Sequence, residues 1–296
     1  MAIPTQPTKT TISTEALRRY YNGATPPATE VTRAEDYGLE KVKRDIMLIG
    51  KKWRPLETLA WDITKEGVSK YTLPSDYEAI KSVTLLDGDH TGLLTGVDNV
   101  TTLAYTLAAD EDITEEQAVG SYLLITSGTG VKQAVQIDDY STTTKVVTGA
   151  EAFATAPVVG DGYMVVNWQR DLDIQPMVRR EGITYATKTG KPTTCFISAD
   201  STYGHIEMYE CADDVYGLRI RYFADLLRLD ITGTLYSTLL RRWAGVFEQG
   251  VYVWKLGEDD DRYKTEWGVY DSMLRKLAAA DLEDYYNPNL QIQVSE

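Results

Sequence analysis

Cysteine and histidine are scarce: Cys195, Cys211, His90 and His205 are all that 296 residues provide. Two thiols exclude a disulfide framework and point to a reducing compartment. The two histidines lie in different regions and outside any metal-ligand spacing, and no partnered nucleophile for a hydrolytic triad is identified. Cys195 and Cys211 fall in neighbouring predicted strands, where thiols are buried residues more often than nucleophiles. Long apolar runs are missing too, so no segment has the length to cross a bilayer. The opening stretch lacks the basic and apolar regions of a signal peptide, so export is not expected.

Positive charge is the other shortage. The formal net charge is −14, with 44 acidic residues against 30 basic ones. A protein that grips nucleic acid by its phosphates needs a basic surface, which this chain as a whole lacks. Two readings stay open. The acidity serves solubility, or an acidic wall repels phosphate and lets a duplex slide past.

What is present is scaffold. Leu39, Val42, Ile46, Ile49 and Trp53 recur at spacings of three and four, which predicts one long helix over about 29–50 with a single apolar face. Strands are predicted at about 57–63, 68–73 and 78–87, hinged on Leu73-Pro74-Ser75-Asp76-Tyr77. Residues 1–13 read as an extended arm. A short helix follows, capped by Ser13 or Thr14 and stopped at Gly23. Residues 88–166 hold eleven carboxylates against Lys132 and Lys145, a net of −9. Their short alternating runs, spaced by about ten residues, predict a small sandwich or barrel, with one helical turn at 114–120. Strands resume at about 193–199, 204–210 and 216–223, after a possible short helix at 179–188. Two helices close the pattern. Leu235, Leu239, Trp243, Val246, Gly250 and Trp254 mark a face of the first, Gly257 ends it, and Tyr263, Trp267, Tyr270, Leu274 and Leu277 mark the second. Beyond Pro288 lies a strand-like end.

The expected fold class is therefore α+β. A helical body with a small antiparallel sheet, 1–87 and 167–296, is interrupted by an inserted all-β sandwich or barrel domain, 88–166. Such an insertion needs ends that lie close together.

Candidate chemistry dissolves into simpler readings. The contiguous acids Glu258, Asp259, Asp260 and Asp261 suit a helix start better than a calcium loop, which alternates its ligands round a glycine. The acids between Asp110 and Glu116 suit a solvated turn. The glycine-rich 127–130 and 160–162 stand between strands, unlike a phosphate loop, which joins a strand to a helix. Gly190-Lys191 has Tyr185 where a Walker motif has glycine. No catalytic, cofactor or metal residues are assigned, and no enzyme is expected. The 20 tyrosines and six tryptophans favour interfaces or sugar binding.

Four stretches, 35–85, 190–230, 235–277 and the inserted 127–149, together resemble the head-to-tail adaptor (connector) family of tailed bacteriophages, which includes the tail tubular A proteins. The resemblance implies a structural virion protein of the neck or tail, assembled in the host cytoplasm. It implies a homo-oligomeric ring, commonly a dodecamer, clamped under the portal protein. A downstream tail or nozzle protein would be the next partner, DNA would pass transiently and without specificity, and no membrane or cofactor is implied. The insert departs from minimal adaptors. A β-rich tail-fibre or spike binding module is the alternative. The segment Asn289, Leu290, Gln291, Ile292, Gln293 and Val294 alternates like a strand seeking an edge, and is the expected partner-binding site.

Overall fold

The computed structural model describes residues 8–49, 53, 56–175, 188–199, 204–226 and 234–286. Helices α1 (Lys9–Tyr20), α2 (Ala28–Arg33) and α3 (Leu39–Ile49) come first, with a π-helical turn, Ala34–Gly38, joining α2 to α3. Strands β1 (Glu57–Ile63), β2 (Lys70–Thr72) and β3 (Tyr77–Asp87) follow. The next run is β4 (His90–Leu93), β5 (Gly96–Asp98), β6 (Ala104–Thr106), the one-turn α4 (Glu115–Ala118), β7 (Tyr122–Ser127), β8 (Ala134–Ser141), β9 (Val146–Gly149) and β10 (Gly162–Val166). Then come β11 (Trp168–Asp171), β12 (Asp173–Gln175), β13 (Thr189–Gly190), β14 (Thr194–Ala199), β15 (Gly204–Tyr209), β16 (Cys211–Ala212) and β17 (Gly217–Ala224). Helices α5 (Thr234–Leu256) and α6 (Tyr263–Tyr286) end the described chain.

The expected fold class is corrected by this count of elements. Among the described residues strand exceeds helix, and the strands form four sheets. A helical body with a small sheet does not describe it. The strands outside 88–166 are short, and each was modest on its own. Their pairing is non-local, and it assembles two four-stranded sheets and a parallel pair where a single small sheet was expected. Strands β11 and β12 were missed altogether. Nearly all of their residues are exposed, so they carry no alternation to read.

The chain divides into two compact units, 1–58 with 223–296, and 59–222. The first is helical and draws on both ends of the chain. Thr8 caps α1, its side chain accepting from the Thr11 amide at 3.1 Å. The helix thus begins inside the segment expected to be an extended arm. Ser13, a proposed cap, is instead fully buried within it. Ile12, Ala16 and Leu17 of α1, Leu39, Val42 and Ile46 of α3, and Phe247, Val251 and Val253 of α5 share one core with Tyr270 and Leu274 of α6. The helix predicted over about 29–50 is present from Ala28 to Ile49, with a π turn inside it that the sequence did not signal. The π turn inserts a residue into the 3.6 period and re-aims α3. It places Gly38 against α5, where an added Cβ would lie 3.0 Å from the Trp254 ring. Ile49, expected on the apolar face, is exposed, whereas Trp53 is buried in the core as expected. Gln249 is buried but satisfied. It accepts from Arg19 of α1 at 2.6 Å and donates to the Glu266 carboxylate of α6 at 2.8 Å. Tyr270 donates to Asp45 at 3.1 Å, tying α6 to α3.

Among the described residues of the second unit, α4 is the only helix. One four-stranded sheet runs β1-β17-β3-β11 and another β12-β14-β15-β2. Asp87 and Trp168 are register partners on β3 and β11. The chain between them therefore leaves and returns at neighbouring points. It forms a seven-stranded sheet in the order β4-β10-β7-β8-β9-β6-β5, whose two edge strands are consecutive in sequence. The sheet's faces follow the period of two. Leu123, Ile125, Tyr163 and Val165 point to a core shared with Tyr105, Ile137, Tyr140, Val147 and Phe153. Leu124, Met164 and Val166 point the other way and pack with Ile63 of β1 and Leu86 of β3.

At the far end of this sheet Asp98 caps a turn. Its carboxylate accepts from the amides of Val100, Thr101 and Thr102 and from the Thr102 hydroxyl. Those bonds favour the charged form and hold its pKa at about 2, below the ordinary 3.8. A lowered folded-state pKa means stability that is present above the unfolded value and fades as pH falls toward the folded one. Asp98→Asn should therefore lower the melting temperature at neutral pH. The gap to wild type should close between about pH 4 and about pH 2, read by thermal scans across that range. A gap that persists unchanged in acid would show that the charge is not what matters.

Candidate functional site

The sequence-based site, Asn289 to Val294, lies outside the described residues, as do most of the possible helix at 179–188 and residues 1–7. Three places in the second unit carry organised polar chemistry.

The first is the glycine-rich turn after β7. Gly128 has a φ of +91°, and a Cβ there would sit 1.9 Å from an Asp161 carboxylate oxygen. Asp161 comes from the other glycine-rich turn and is nearly buried. Its Oδ2 accepts from the amides of Thr129 at 3.0 Å and Val158 at 2.9 Å. The loop does cradle an anion, but the anion is its own aspartate. A phosphate has no place left there.

The second is a cleft of about 620 Å³ over the outer face of the seven-stranded sheet. Asp87, Asp89 and Asp214 supply carboxylates, Thr126 and Ser127 hydroxyls, and Tyr216 a ring. Lys191, the lysine of the former Walker candidate, pairs with Asp87 at 2.6 Å and lies 3.5 Å from the Trp168 ring centroid. It is committed to an ion pair and a cation–π contact. The Tyr216 hydroxyl donates to Asp213, and burial first, then that bond, raise its pKa. It stays a neutral donor.

The third lies on the inner side of the same sheet. His90 Nδ1 is 2.7 Å from Glu111 Oε1. Tyr163 donates to Glu111 Oε2 at 2.6 Å, and its own oxygen accepts from the Ala108 amide at 3.1 Å. Burial, then the Glu111 bond, push the Tyr163 pKa up. Asp112 closes the group, 3.4 Å from His90 Nδ1. The sequence set the histidines apart from any ligand spacing and read 110–116 as a solvated turn. Strand pairing overrides that distance. His90 pairs with Val165 on β10, next to Tyr163 on the same face. No local pattern could have signalled a contact across 21 residues.

Of the two cysteines read as buried strand residues, Cys211 is only partly buried. Cys195 is buried, and burial pushes its thiol up to about 12, far from nucleophilic. Among the acids at 258–261, Asp260 accepts from the Arg262 amide and guanidinium just before α6 begins at Tyr263. Among the described residues no helix is long and apolar enough to cross a membrane. No family model matches this chain, and no curated protein matches it.

Proposed function

We propose that this chain is a structural virion protein, a head-to-tail adaptor that forms a ring under the portal and lines the DNA exit channel. The observation that carries the proposal is that the first helices, α1 and α3, and the last two, α5 and α6, share one core. Helix α6 has 24 residues, a span of about 36 Å. Residues 287–296 follow directly from it. Residues 289–294 alternate apolar and polar in sequence, and a segment of that pattern can add a strand to a neighbouring protein's sheet. The four stretches of sequence that resemble the adaptor family support the same reading. The net charge of −14 suits a channel wall that repels phosphate, so DNA passes without being held. The partners are then the portal, the adjacent adaptor subunit and a downstream tail or nozzle protein. The role requires no catalysis.

A specific observation favours a second reading, a glycan-binding tail-fibre or spike module. The cleft between Asp89, Ser127 and Tyr216 offers the carboxylates, hydroxyls and ring that sugars use. The mass of the purified protein, measured with and without its portal, separates the two. A ring that forms on or beside the portal supports the adaptor. A trimer that ignores the portal rejects it.

Truncation before Asn287 probes the expected contact. It should leave the circular dichroism unchanged and weaken co-sedimentation with the portal by about tenfold or more, the effect of losing a few backbone hydrogen bonds. Undiminished binding at matched salt would remove the tail from the interface.

A further inference from the structure

The cluster around His90 is not used by the adaptor role. Its ligand-capable atoms, one each from His90, Glu111 and Asp112, all lie within 4.8 Å of one another. Separations of 2.7 Å and 3.4 Å from His90 Nδ1 to the two carboxylates allow a single cation between them, with bonds of about 2.0–2.2 Å after small side-chain adjustment. The donor set is one imidazole and two carboxylates. That set suits zinc or another first-row divalent ion, whereas calcium and magnesium favour oxygen alone.

The surroundings are those of a ligating carboxylate. The Glu111 side chain is 4% exposed, and the oxygen it turns away from His90 is held by the Tyr163 hydroxyl. Such an outer contact fixes a carboxylate for a metal. Asp112 is 91% exposed at its side chain, which leaves a route in from solvent.

A separate observation concerns Tyr140. Tyr140, on β8, is 2% exposed, and its hydroxyl has no hydrogen-bond partner. It lies within the electrostatic reach of Glu111 and Asp112. A buried hydroxyl is costly to leave unpaired. A water on a cation held by those two carboxylates would give it a partner.

We propose that His90, Glu111 and Asp112 bind one Zn²⁺, with a metal-bound water completing the shell and bonding to the Tyr140 hydroxyl. The ion takes the place of the proton between His90 and Glu111. It would fasten β4, an edge strand, to the loop that precedes α4. The role is structural, since it joins an edge strand of the sheet to a loop that no backbone ladder connects to it.

The test uses the full chain, without a histidine tag and stripped with a chelator. Zinc chloride is titrated by calorimetry, and melting is followed with zinc, with magnesium and with neither. One zinc per chain and a raised melting temperature with zinc alone are expected. Asp112→Asn should weaken zinc binding by at least about tenfold, and Tyr140→Phe by about tenfold, as outer-shell changes do. His90→Gln should abolish it. Asp112 is exposed, so its variant keeps the fold even if His90→Gln does not. Zinc affinity and melting gain identical in wild type and Asp112→Asn, or far less than one zinc bound, would overturn the proposal and leave a hydrogen-bonded His–Glu pair only.

Discussion

Trp243→Ala should lower the stability of the helical unit by about 3–5 kcal/mol, the range for removing a buried tryptophan. Trp243 is 4% exposed and meets Trp53, 3% exposed, edge to face at 5.6 Å. Edge-to-face pairs add to the burial of area alone. Trp243 also sits at a kink, with φ −114° and ψ 15° inside α5, so its ring is aimed by a local break in the helix. Alanine would remove the ring and strip Trp53 of its cover. Urea unfolding followed by circular dichroism gives the difference. A loss under about 1 kcal/mol would show that this face is not core.

Gly88→Ala should be nearly as damaging in the other unit, by about 3 kcal/mol or more. Gly88 stands where the chain leaves β3 for the seven-stranded sheet. A Cβ there would lie 1.9 Å from the Val165 carbonyl oxygen and 2.9 Å from its carbon. Those are backbone atoms of β10, which pairs with both β4 and β7. A side chain can swing aside, but a strand held on both edges cannot. The clash would force apart β10 and the start of β4. Thermal unfolding read from Trp61, which packs beside Tyr122 at 5.3 Å, reports on this region. A melting temperature within a degree or two of wild type would mean the strand gives way easily.

That glycine also marks how far the sequence was legible. The change in composition at residue 88 was visible, because charge and alternation both shift there. Regular elements with a strong period were legible as well. The strands expected at 57–63, 78–87 and 216–223 appear at Glu57–Ile63, Tyr77–Asp87 and Gly217–Ala224. The last two helices appear too, with Gly257 at φ +68° between them. Trp53 and Trp243 are buried as expected, but Trp254 only partly. The failures share a cause. The π turn at Ala34–Gly38 leaves the spacing of apolar residues almost unchanged, so a helix with an extra residue reads like one without. The balance of strand over helix depends on which strands pair, and pairing partners such as Asp173 and Thr194 are set by the whole fold. The same holds for His90 and Glu111. Their meeting is a product of strand register, which no window of sequence contains.

The division of the chain also sets an order of events during synthesis. Residues 59–222 are one uninterrupted stretch, so every strand of that unit has emerged before α5 is made. The helical unit has no such independence. Its first helices pack on α5, which begins at Thr234. Between the completion of α3 at Ile49 and of α5 at Leu256, roughly 10–40 s pass at ordinary elongation rates. For that interval Ile12, Leu17, Leu39, Val42 and Ile46 have left the ribosome without the α5 and α6 side chains that share their core. A message cut short before Thr234 would supply all the strands of one unit and only the first helices of the other.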